Sequence, residues 1–107
     1  MNVIGEVEGR DVLLVDDMTE TAGTLTAAAE ILHKHGAKRI YAGVSHAILG
    51  ELAHQRIRDS AIEEVITTDS VPQAAGPKVR IVGIAPLLGE AIRRIHGGHS
   101  ITSLFSV

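Results

Sequence analysis

The sequence predicts an α/β fold in which helices cover a parallel sheet, and three features predict it. Short runs rich in Val, Leu and Ile recur at residues 12–15, 40–44, 64–67 and 79–82. The segments between them carry apolar residues at helical spacing, one face of a 3.6-residue repeat. Apolar residues make up 45% of the chain, yet Tyr41 and Phe105 are its only aromatics. That aliphatic bias suits strands packed between helices.

Residues 3–10 alternate apolar with Gly or acid and read as an edge ribbon ending at Gly9. Residues 12–15, VLLV, form an unbroken apolar run, the mark of a strand buried on both faces. Leu25, Ala28, Ala29 and Leu32 then line one helix face. His33, Lys34 and His35 bring positive charge to its last turn, where the dipole favours it, and Gly36 ends it. Residues 40–44 read as the next strand, Leu49, Leu52, Ala53 and Ile57 as a helix face, and residues 64–67 as a third strand. A Pro/Gly/Ala loop, 71–78, leads to a strand at 79–82. After Pro86, the residues Leu88, Ala91, Ile92 and Ile95 line a final helix closed by Gly97 and Gly98, and the tail reads as one more extended segment. Strand and helix in alternation imply parallel strands with right-handed crossovers. The 107 residues make a single domain, 1–107, with no linker or low-complexity segment.

Composition excludes several function classes. Ten basic against thirteen acidic residues give a formal charge of −3, with no long basic run and few aromatics to stack on bases. Nucleic acid is not an expected partner. Without cysteine there is neither a disulfide nor a thiolate nucleophile, and a Cys-type zinc site is excluded. No apolar stretch approaches the roughly 20 residues of a membrane span. The expected compartment is the cytoplasm.

The chemistry concentrates where the first strand meets the first helix, VLLVDDMTETAGT. Ligands of such sheets bind beyond the carboxyl ends of the strands, where Asp16 and Asp17 fall. Thr21, Ala22, Gly23 and Thr24 follow as a small-residue turn at a helix start, with unpaired N–H groups and the positive dipole end: an expected phosphate site. Gly23 allows close backbone approach and the threonines add hydroxyl donors. Carboxylates repel a phosphate unless they face another part of the ligand. Asp16 and Asp17 are therefore expected either to accept hydrogen bonds from sugar hydroxyls or to help place a Mg2+ carried by phosphates. The bland reading makes Thr21 a helix cap and both acids solvated loop residues. Neither GxGxxG nor the P-loop spacing is present.

This run closely resembles the phosphoribosyl diphosphate (PRPP) signature of type I phosphoribosyltransferases and PRPP synthetases, the ribose-phosphate pyrophosphokinases. EVEGRDVLLVDDM, YAGVSHAILG, ITTDSVPQ and LLGEAIRRIHGGHSITSLFS resemble the C-terminal part of a PRPP synthetase over nearly the whole chain. The resemblance implies a three-layer, Rossmann-like type I phosphoribosyltransferase fold, incomplete at its N-terminal side. It puts Asp16 on the ribose hydroxyls, Glu20, Thr21, Ala22, Gly23 and Thr24 around the 5-phosphate, and Asp17 on the metal or sugar side. Glu20 stands where the family usually has Asp, so the charge is kept on a carboxylate one methylene longer.

The implied reaction transfers the diphosphoryl group of Mg-ATP to ribose 5-phosphate, giving PRPP and AMP, with Mg2+ as the cofactor. Phosphate and ADP are the implied effectors, and Ser100, Thr102 and Phe105 match positions of the regulatory pocket. The same resemblance assigns the ATP site and the catalytic loop to the part of the family's enzymes that this chain does not span. The chain alone is therefore expected to be inactive and, with apolar faces uncovered, to self-associate as a homo-oligomer. A phosphoribosyltransferase fragment and a non-catalytic regulatory or assembly module are the alternatives. His46 reads as structural, capping the second helix, or as a substrate contact. Asp69 and Ser70 read as helix-capping or turn residues, and Arg93 and Arg94 as a solvated helix face.

Overall fold

Each aliphatic run becomes a strand and each amphipathic segment a helix. The computed structural model describes residues 2–106. In order they form β1 (Asp11–Thr19), α1 (Gly23–Lys34), β2 (Arg39–Ala47), α2 (Glu51–Asp59), β3 (Ile62–Thr68), β4 (Val79–Val82), α3 (Ala85–His96) and a short 3-10 helix, Thr102–Phe105. The sheet has the order β1-β2-β3-β4 with every neighbour parallel. Successive right-handed crossovers in one direction put α1 and α2 on the same face.

That face holds the core. Ile40, Ala42 and Val44 alternate inward from β2, and Ile62 and Val65 from β3, against Leu25, Ala29 and Leu32 of α1 and Ala53 and Ile57 of α2. Ile57 is fully buried, and such burial stabilises by roughly 1.5–3 kcal/mol per side chain. Helix α1 closes as its glycine predicts: Gly36, at φ 86°, lets its own N–H reach the His33 carbonyl while the Ala37 N–H reaches that of Leu32.

The opposite face is open. Leu13 and Val15 of β1 are 60% and 77% exposed, which corrects the expectation of a first strand buried on both faces. β1 lies at the sheet's edge and only its Val12 and Leu14 side packs on the core. Of the layers expected, this chain forms the sheet and one helical layer. Helix α3 stands apart, with no buried residue and with Ile92 and Ile95 more than 60% exposed. The radius of gyration is accordingly 16.4 Å, against about 13 Å for a compact chain of this length.

Two terminal expectations are corrected. Residues 3–10 form no strand; Val3 and Val7 pack on the core and the Gly9 N–H donates to the Gly36 carbonyl at 2.8 Å. The tail is a 3-10 helix instead of an extended segment. Its approach is tightened by the Ser100 hydroxyl, which accepts from the Thr102 N–H at 3.1 Å.

Candidate functional site

The β1–α1 junction is built from an unusual backbone. Ala22, the residue preceding α1, has φ 58° and ψ 15°, the left-handed region, and is 1% exposed. A non-glycine residue there is strained by roughly 1–3 kcal/mol, and such strain gathers at functional turns. The conformation turns the chain sharply from strand into helix. No side chain caps α1, which corrects the bland reading of Thr21 as its cap. The first amides, of Gly23, Thr24 and Leu25, keep no intrahelical acceptor, as every helix start requires.

These residues enclose a cavity of about 340 Å³ whose walls include Asp16, Glu20, Thr21, Ala22, Gly23 and Thr24. Six of the seven residues singled out in the sequence thus meet around one space. Asp17 is not among its walls; it follows Asp16 on a strand, where successive side chains point to opposite faces. Asp17 instead donates its N–H to Asp16 Oδ1 at 2.8 Å, fixing that carboxylate. Asp16 also borders a second cavity of about 320 Å³ over the tips of β1, β2 and β3. Thr67 lies in that second wall, its Oγ1 buried without a hydrogen-bond partner among the described residues.

The carboxylates present do not make a metal cage. Among the described residues no three His, Asp or Glu side chains come together to hold an ion.

Around this centre the structure refines the other assignments. His46 Nδ1 meets Ser70 Oγ at 2.7 Å, while the Thr68 and Ser70 hydroxyls both donate to the Ser45 carbonyl. His46 therefore braces the ends of β2 and β3, and does not cap α2, which Gly50 precedes and no side chain caps. Arg93 is a solvated helix-face residue bonded to Glu90 of the same helix, as expected, whereas Arg94 bonds Glu90 and its Nη1 also donates to Ser103 Oγ at 2.6 Å, tying α3 to the 3-10 helix. In the tail, Ser100 and Thr102 bond to each other and Phe105 is 75% exposed.

One contributor was missed. Arg56, in the last turn of α2, reaches back to the junction, where its Nη1 donates to the Thr21 carbonyl at 3.2 Å. Nothing in the sequence distinguishes it from Arg58, two residues on.

Comparison with known proteins decides the family. The model of the phosphoribosyl synthetase-associated domain matches residues 1–106. The chain belongs to that family. This phosphoribosyl synthetase-associated domain is 46% identical over 106 residues to a ribose-phosphate pyrophosphokinase of Helicobacter hepaticus, covering 98% of this chain and 34% of that one. It is likewise 46% identical over 108 residues to the enzyme of the same name from Aquifex aeolicus, covering 99% and 35%. The crystal structure of phosphoribosylpyrophosphate synthetase from Mycobacterium smegmatis superposes with a TM-score of 0.85 at 34% identity, covering 89% of the domain and 33% of that chain. The domain spans about a third of the length of the curated relatives it matches. Among the described residues no helix is long and apolar enough to cross a membrane.

Proposed function

We propose that the chain is the ribose 5-phosphate-binding part of a cytoplasmic ribose-phosphate pyrophosphokinase. The observation that carries the reading is the left-handed Ala22 turn, which opens the uncapped start of α1 into a cavity bounded by Asp16 and by Thr21 and Thr24. Three backbone amides and two hydroxyls suit a phosphate. Asp16, held by the Asp17 N–H, suits sugar hydroxyls, since a carboxylate accepts hydrogen bonds and repels an anion. A sugar phosphate satisfies both ends. Glu20 and Asp17 complete the proposed set, Glu20 as part of the turn that surrounds the phosphate, its carboxylate directed to another part of the ligand, and Asp17 through Asp16.

In the whole enzyme the anomeric hydroxyl of ribose 5-phosphate attacks the β-phosphorus of ATP. The new oxygen–phosphorus bond forms as the bond to the oxygen bridging the α- and β-phosphorus breaks; the hydroxyl proton is lost, AMP departs and PRPP results. Mg2+ bound to the nucleotide supplies charge neutralisation. What this chain contributes is position: it fixes the acceptor by its phosphate and its hydroxyls, which is where most of such catalysis lies. Ser100, Thr102 and Phe105 are the proposed contacts for phosphate or ADP in the assembled enzyme.

Thermal melts test the reading. Ribose 5-phosphate is expected to raise the melting midpoint of the purified chain while unphosphorylated ribose does not, and PRPP formation from ATP by the chain alone is expected to be nil. A midpoint unmoved by ribose 5-phosphate at saturating concentration contradicts it.

The open face of the sheet favours a second reading, an assembly module that joins enzyme subunits. Addition of the chain to active enzyme is then expected to change its assembly or its response to ADP.

A further inference from the structure

We propose that Arg56 is a positioning residue for the phosphate turn: its guanidinium holds Thr21, Ala22 and Gly23 in their binding geometry and lends the turn positive charge. This rests on the reading of that turn as a sugar-phosphate site. Three independent features carry it.

The first is the bond itself. Arg56 sits at the C-terminal end of α2, where a basic side chain would suit the dipole, but its Nη1 instead donates to the Thr21 carbonyl at 3.2 Å. That carbonyl belongs to the residue immediately before the left-handed Ala22. A strained conformation persists only where its surroundings hold it. Within α1 the Thr26 hydroxyl also donates to the Ala22 carbonyl at 2.7 Å and the Gly23 carbonyl at 3.2 Å, and among the described residues Arg56 is the side chain that holds the turn from another element.

The second is the space around Gly23. A Cβ added there would lie 3.0 Å from Arg56 Nη1 and 3.8 Å from its Cζ. Gly23 has no positive φ to explain it. The guanidinium packs at the limit of contact there, so a side chain at position 23 would press on the same Arg56 nitrogen that holds the turn.

The third is charge. Arg56 lines the groove of about 860 Å³ between α1 and α2, which also carries Glu30 and Asp59. Yet among the described residues it forms no ion pair. Gly23 is the wall shared by this groove and the turn's own cavity. An unneutralised guanidinium thus stands directly behind the backbone that would hold a phosphate.

The experiment follows the amide signals of Gly23 and Thr24 in isotope-labelled chain during titration with ribose 5-phosphate, for wild type, Arg56→Met and Arg56→Lys. Met keeps the aliphatic stem; Lys keeps the charge but not the fork geometry. Arg56→Met is expected to bind about tenfold more weakly, the loss of one charged hydrogen bond, with Arg56→Lys between it and wild type. Hydrogen exchange should quicken at Ala22 and Gly23 in the free Met variant and stay unchanged at Val65, a contrast that general destabilisation does not give. Equal affinities in wild type and Arg56→Met overturn the inference and leave the site reading intact. Absence of saturable shifts in wild type overturns both. If Arg56→Met does not fold, Arg56→Lys decides by the same comparison.

Discussion

Asp69 and Ile84 are joined across two loops: the Asp69 carboxylate accepts the Ile84 N–H at 2.9 Å. Ile84 is the residue preceding α3, so an acid at the carboxyl end of β3 fixes the direction in which the helix leaves the sheet. Asp69→Ala removes this anchor and is expected to cost about 1 kcal/mol, in the range of a lost helix cap. Urea unfolding followed by circular dichroism checks it. An unchanged midpoint would show that α3 needs no such anchor.

Ala22 makes a sharper demand. A β-branched side chain at φ 58° is an outlier, whereas glycine adopts that region freely. Ala22→Val is expected to destabilise the chain by about 2 kcal/mol or more. Ala22→Gly should stay within about 1 kcal/mol of wild type, because relief of strain is offset by greater freedom in the unfolded chain. Equilibrium unfolding of both variants checks the pair, and equal costs would contradict the left-handed turn.

Glu90 gives a pH dependence with a definite sign. Hydrogen bonds from Arg93 and then Arg94 lower its carboxyl from the ordinary 4.5 to about 2. The folded state favours the carboxylate, so this contribution to stability is complete above pH 4.5 and fades as the pH falls toward 2. Asp11, lowered by its hydrogen bonds with Arg39, acts in the same direction. Carboxyl NMR titration should find the Glu90 midpoint near 2, and a midpoint at its ordinary value would show that the guanidinium bonds do not persist in solution.

The bare sheet face and the bare helix predict association between copies. Val15 and Ile92 are 77% and 67% exposed, as are Leu13 and Ile95 at 60% and 64%. Sedimentation velocity is expected to show larger species that grow with concentration, and the double variant Val15→Lys, Ile92→Lys should shift them toward monomer. A wild-type chain that stays monomeric at high concentration contradicts this.

Much of the fold was legible because its elements are carried by aliphatic patterning, which survives without knowledge of neighbours. Strand ends were less so. β1 runs on through Asp16, Asp17, Met18 and Thr19 because its ladder with β2 continues to the pair Thr19 and Ala47, and polarity hides a strand whose outer face is open. Exposure was invisible for a related reason: VLLV reads as doubly buried, but what covers a face is a tertiary fact. The turn at residues 20–24 was legible because its chemistry is local, small residues between a strand and a helix. Arg56 was not. It stands 35 residues from the carbonyl it binds, on a helix whose last turn carries a second arginine, Arg58, with nothing in the sequence to tell them apart.

Calorimetric titration of the purified chain with ribose 5-phosphate in Mg2+, beside Asp16→Ala and Gly23→Val, tests the central claim most directly. Saturable binding in wild type is expected, with loss in both variants: Asp16→Ala removes the acceptor for the sugar, and Gly23→Val drives a side chain into a space where Arg56 Nη1 lies 3.0 Å from the first added carbon. No heat from a folded wild-type chain, or binding that both variants retain, would contradict the assignment of this turn as a ribose-phosphate site.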